Sequence, residues 1–192
     1  MSITAEQLGA QIIREASRFV GLVETKPNAD WDNPKTPGPD KELVNELRGL
    51  MRPSPWKPGW AYCAAYAEGV ILLAMRKLGL PTQRAAEMLQ PGVMNTWRAF
   101  HAADLTTLNN PEPGALWLAQ YALQTGLGHA GIVTATNGRM QSTIEANTSL
   151  DSRDPRKDRE GDWISTKLSL ATRRGSLTTL GYVNPKALLK LI

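Results

Sequence analysis

The chain has 192 residues, 42% of them hydrophobic, enough to bury a core without disulfides or a metal; its one cysteine, Cys63, excludes an intramolecular disulfide framework. A net charge of +4 and a sequence pI of about 9.3 suit an anionic partner surface, but the densest charged run, Arg153 to Glu160, mixes both signs and reads as a solvated loop, not a nucleic-acid patch. No stretch approaches the roughly 18 consecutive apolar residues of a membrane span, so membrane insertion is not expected.

The N-terminal stretch interleaves Glu6, Arg14, Glu15 and Arg18 with Ile12, Ala16, Phe19 and Val20 at helical spacing. That pattern predicts an amphipathic helix and lacks the unbroken apolar run of a signal peptide, so synthesis in the cytoplasm without a signal peptide is expected. Lys26 to Asp40 holds four prolines and a glycine, which predicts a surface loop. A short helical pattern follows from Lys41 to Leu50, and MRPSPWKPGW interrupts the chain again. From Ala61 to Leu78 the residues are rich in alanine and leucine, which predicts a largely buried helix ended by Gly79 and Pro81. A further helical stretch spans Asn95 to Ala103.

At Pro111 to Gly114 the character changes. ALWLA, HAGIVTA, MQSTIEA, WISTKLSL and TTLGYV are short strand candidates bounded by turn or charged residues, as in an antiparallel meander. Helices first and sheet second define an α+β class. A single domain over 1–192 is expected, with a helical segment and Pro-rich loop over 1–50 and the core over 51–185.

Cys63 follows Pro58, Gly59 and Trp60 and falls in the first turn of the buried helix. There, unpaired N–H groups and the positive dipole end can lower a thiol from ~8.5 into the range ~3.5–7.5 and can hold an oxyanion. Two histidines are present. His101, in WRAFHAADL, reads as a surface or core-edge residue. His129 opens a strand candidate and is flanked by Gly128 and Gly131, whose lack of side chains leaves space for a close approach.

The next strand supplies Glu145 and Asn147, and a separation of two puts both on one face. Their relation to His129 depends on the turn. A two-residue Asn137-Gly138 loop turns both away. A three-residue loop, Thr136-Asn137-Gly138 with Gly138 left-handed, pairs Ala135 with Arg139 and His129 with Glu145, and is the one expected. Glu145 or Asn147 would then bond one imidazole nitrogen and leave the other for the proton of Cys63.

AYCAAYAEGV, PEPGALWL, GHAGIV and TIEANTS, closed by LGYVNP, follow one another as the nucleophile helix, first core strand, histidine strand and glutamate strand do in the CHAP family. From about Trp56 to Pro185 the chain thus resembles these cysteine, histidine-dependent amidohydrolases and peptidases of the papain-like superfamily. The resemblance implies N-terminal helices packed on an antiparallel sheet of about five strands. It implies Cys63 as nucleophile, His129 as general base and later acid, Glu145 as the group orienting the histidine, and Asn147 as a support of the site or a polariser of the carbonyl.

The implied substrate is bacterial peptidoglycan, cut at an amide bond by an amidase or endopeptidase acting in the periplasm or cell wall after delivery. Two settings fit: a phage or prophage lysis enzyme (an endolysin), or an injected antibacterial toxin, for which an immunity protein and a secretion or phage delivery component would be partners. A thiol-dependent acyltransferase and a catalytically silent wall-binding or phage structural module are the competing readings. Some family members carry an aspartate-rich calcium loop just before the cysteine. Here that stretch is KPGWAY, without an acidic residue, so neither metal nor other cofactor is implied. Strong chelators are accordingly expected to leave activity intact and thiol alkylation to abolish it. Loss on chelation, restored by calcium, would instead point to a site using Asp30, Asp32 or Asp40.

Overall fold

The computed structural model describes residues 2–24, 31–32, 41–51, 62–122, 126–148 and 163–192. In chain order these form α1 (Ala5–Ser17), β1 (Val23–Glu24), β2 (Trp31–Asp32), α2 (Lys41–Leu50), α3 (Cys63–Lys77), α4 (Gln83–Met88), α5 (Val93–Ala102), β3 (Leu116–Tyr121), β4 (Gly128–Asn137), β5 (Met140–Thr148), β6 (Trp163–Leu170), β7 (Arg173–Arg174), β8 (Leu177–Val183) and α6 (Pro185–Leu189). One antiparallel sheet runs in the order β2-β1-β6-β5-β4-β3-β8-β7. Its five long strands are the five read from the sequence, and the helices α1 to α5 precede them. The interruption at 52–60, the charged run 153–160, and most of the expected loop 26–40 lie outside the described residues. Within that loop, Trp31–Asp32 is a two-residue edge strand paired to β1, which corrects the expectation of loop throughout. An edge position asks little of its Pro-rich flanks, because only one side of the strand must supply ladder bonds.

α3 is the centre of the helical layer. Every residue from Cys63 to Met75 is buried, because α1 and α2 cover one side and the sheet the other. Tyr66 donates its hydroxyl to the carbonyl of Ala16 at 2.9 Å and meets Phe19 edge to face, tying α1 to α3. Gly69 lets α2 lie close: a Cβ there would stand 3.0 Å from Leu47 Cδ1 and 3.1 Å from Met51 Cγ. Thr96 donates to the buried carboxylate of Glu68 at 2.6 Å, fastening α5 to the same helix. The start of α3 is therefore held from several directions. No helix among the described residues is long and apolar enough to cross a membrane.

The sheet separates two cores. Leu116, Leu118, Ala130, Ile132, Ile144 and Ala146 face the helices, whereas Ala115, Trp117, Ala119, Val133, Leu177 and Tyr182 form a second cluster on the concave side. The sheet is curled enough that Arg174, on the terminal strand β7, donates to Glu145 on β5, with β4, β3 and β8 between them in the strand order.

The β4–β5 hairpin decides which side chains share that concave face. Its loop is Gly138-Arg139, with Asn137 paired to Met140, in place of the expected three residues Thr136-Asn137-Gly138. Gly138 is left-handed at φ 59°, and a glycine of positive φ at the first position suits a type II′ turn, which matches the twist of the strands it joins. Left uninterrupted, that register would turn Glu145 to the face opposite His129. A bulge between Val133 and Ala135 absorbs one residue, so that Val133 pairs with Thr143 and Ile132 with Ile144. Continued by one step, the corrected register sets Glu145 opposite Gly131. The expected direct pairing of His129 with Glu145 is thus replaced by a diagonal one on the same face.

Gly131 makes the diagonal reach possible, since a Cβ there would lie 2.6 Å from Glu145 Cγ and 3.1 Å from the carbonyl of Ile144. Gly131→Ala is expected to displace the Glu145 side chain, to lower stability by about 1–3 kcal/mol and to slow alkylation of Cys63. Thermal unfolding with thiol kinetics checks this, and an unaltered protein would contradict the placement.

Candidate active site

Cys63 is the first residue of α3, 7% exposed, and follows the N-cap Tyr62. The start of a helix leaves N–H groups without intrahelical partners and carries the positive end of its dipole. Burial pushes the Cys63 thiol up. The charge of His129, a hydrogen bond with that imidazole, and the backbone N–H groups of Ala130 and Ala64 outweigh burial and leave the thiol below its ordinary value of 9.0.

His129, near the start of β4, is 2% exposed. Its Nε2–H donates to Glu145 Oε2 at 2.7 Å, so Nδ1 is the nitrogen left for Cys63. The ring also meets Trp117 edge to face, with centroids 6.1 Å apart. Burial pushes the imidazole down, but the charge and hydrogen bond of Cys63, with the hydrogen bond and charge of Glu145, raise it to about 9. Each of the two groups thus shifts the other toward its charged form.

Glu145 has no exposed surface. Burial favours its neutral form; the Arg174 guanidinium, the hydrogen bond and charge of His129, and the Thr143 hydroxyl overcome this and hold it at about 2. Thr143 donates to Oε1, while Arg174 and His129 both donate to Oε2. Arg174, whose side chain is 8% exposed, also places its guanidinium carbon 5.4 Å from the centroid of the Trp117 ring. Trp117 is fixed in turn by its indole N–H, which donates to Thr179 at 2.9 Å.

Three of the four residues expected from the sequence are therefore brought together: Cys63, His129 and Glu145. Asn147 is not joined to the imidazole by any hydrogen bond among the described residues. It is half-buried with φ 55°, and the β5–β6 register slips between Glu145 and Thr148. The alternation that would put it on Glu145's face is broken at that irregularity, so of the two residues expected to bond the imidazole it is Glu145 that does so. His101 lies apart, exposed on α5, stacked on Trp97 at 4.8 Å and bonded to Thr106.

Three contributors were not read from the sequence. Thr143 had a signal, standing two residues before Glu145 and hence on its face. Trp117 and Arg174 had none, because their approach depends on how far the sheet curls. Comparison with protein-family models, curated proteins and solved structures finds no match.

Chemically, the arrangement can ionise a thiol, hand its proton to an imidazole, and hold that imidazolium against a fixed carboxylate. The linkage gives a stability test. Because Glu145 is depressed to about 2 from 4.5, its stabilisation is fully present above 4.5 and is lost as pH falls toward 2. Glu145→Gln leaves Arg174 without its carboxylate and is expected to cost about 3–5 kcal/mol near neutrality. The gap to wild type in denaturant unfolding narrows as pH drops from 4.5 toward 2; a gap independent of pH would show that Glu145 is not held ionised.

Proposed function

We propose that the chain is a papain-like cysteine amidase or peptidase that cuts amide bonds in bacterial peptidoglycan. The observation that carries the proposal is the succession of a thiol at a helix start, an imidazole bonded to it, and a buried carboxylate on the second ring nitrogen. In this reading the Cys63 thiolate attacks the carbonyl carbon, and the N–H groups at the start of α3 donate hydrogen bonds to the tetrahedral oxyanion. The C–N bond breaks as His129 gives its proton to the departing amine. Water then attacks the thioester, with neutral His129 taking the water's proton and returning it to sulfur as the acid product leaves. Glu145 keeps the ring oriented and its charged form stable through both halves.

Support for the papain-like assignment is the order of parts: a buried helix led by the cysteine, then an antiparallel sheet bearing the histidine and the glutamate on adjacent strands. Peptidoglycan as substrate rests on the resemblance of the four sequence segments to the CHAP family. The net charge of +4 agrees with a polymer whose stem peptides carry free carboxylates. Delivery as a phage lysis enzyme or as an injected toxin fits the same chemistry.

Purified peptidoglycan should be solubilised with new amino groups and no new reducing sugar ends, while casein stays mostly uncut. Cys63→Ala and His129→Ala should each lower the rate by roughly three orders of magnitude or more, and His101→Ala should stay near wild type. New reducing ends would identify a glycosidase and overturn the cysteine mechanism.

A further inference from the structure

Arg174 belongs to none of the segments that resemble a known family, yet it ends in the middle of the site. Its guanidinium donates to the same carboxylate oxygen, Oε2 of Glu145, that His129 uses. It comes from the end strand of the order, β7, and is braced by the face of Trp117, which also meets the His129 ring. The contact is built: donor and acceptor side chains are 8% and 0% exposed, and the indole beneath them is anchored on Thr179.

We propose that Arg174 is a positioning residue that completes a chain of alternating charge, Arg174, Glu145, His129 and Cys63, and that its guanidinium is what allows Cys63 to stand as a thiolate beside His129. This rests on the reading of Cys63 and His129 as a nucleophile and base. With Arg174 present, the thiolate, imidazolium, carboxylate and guanidinium sum to zero. Without it, the same ionised trio carries one net negative charge in a site with almost no solvent and loses the cation bonded to Glu145, with the buried Lys167 of β6 the remaining cation near it among the described residues; an anion stripped of its bonded partner there is costly. The site relieves that charge by taking up a proton. Of the two anions, the thiolate is the stronger base, and Glu145 still receives hydrogen bonds from His129 and Thr143. The proton therefore goes to Cys63 Sγ.

Among the described residues, the charged and titratable groups around Glu145 are His129 from β4, Arg174 from β7, Cys63 from α3 acting through His129, and Lys167 on β6. Lys167 is 3% exposed and pairs with Thr143 in the ladder. Tyr182 on β8 is engaged by Gln141 and by the carbonyl of Ala171. The Arg174 variants keep all of these other residues, so the comparison isolates the guanidinium.

The test is the pH dependence of alkylation by iodoacetamide, which needs no substrate because Cys63 is the one cysteine of the chain. It therefore stands or falls apart from peptidoglycan cleavage. Arg174→Gln and Arg174→Met remove the charge, the second keeping an apolar stem over Trp117; Arg174→Lys keeps the charge. In the neutral variants the acid limb of the alkylation profile should move up by about one pH unit or more, the scale of losing an opposite charge within reach of an ionised group. Arg174→Lys should return the limb most of the way to wild type. An acid limb that coincides with wild type in a folded neutral variant assigns Arg174 a structural role and overturns the proposal. So does failure of both neutral variants to fold.

Discussion

Glu145 is a carboxylate with no exposed surface, and much of the surrounding structure can be understood as what keeps that charge tolerable. An unpaired buried carboxylate costs several kcal/mol and protonates in preference. Here its two oxygens receive three donors, from Thr143, His129 and Arg174. The hydroxyl comes from its own strand, the imidazole from the neighbouring one, and the guanidinium from the far edge of the sheet. Meeting the charge thus requires the strands to be in one register and the sheet to be curled.

Local backbone features serve the same end. The bulge between Val133 and Ala135 restores the parity that a two-residue loop at Gly138-Arg139 removes. Gly131 leaves the gap through which Glu145 crosses to His129. Trp117, opposite Gly131 on β3, lies under the guanidinium and against the imidazole edge, holding both by one aromatic surface. The thiol reaches this assembly from the other layer, because α3 is fixed to α1 by its Tyr66, close to α2 by its Gly69 and to α5 by its Glu68. Helical layer and sheet are therefore joined chemically at the contact of Cys63 with His129.

Much of this was legible in the residues. The five strand candidates coincide with the long strands, and the alanine-rich stretch marks α3, because alternation and helical spacing persist over those lengths. Cys63 and His129 could be singled out because the chain offers one cysteine and two histidines. The helices α4 and α6, six and five residues long, are too short for a period to register. The hairpin loop was expected as the three residues Thr136-Asn137-Gly138 and is the two residues Gly138-Arg139, since both satisfy turn preferences and the choice depends on pairing farther along. Asn147 looked equivalent to Glu145 by spacing alone; its positive φ breaks the count of two. Arg174 was invisible because curl, a property of the whole sheet, brings it to Glu145.

The chemistry turns on the ionisation of Cys63, which burial opposes and His129 favours. Ultraviolet absorbance of the thiolate, followed through a pH titration of the intact protein against Cys63→Ala as the blank, observes that ionisation without any substrate. The expected result is thiolate absorbance already present below pH 9.0, the ordinary value for this thiol. A thiolate that forms only at that ordinary value would contradict the ion pair and, with it, the assignment of Cys63 as an activated nucleophile.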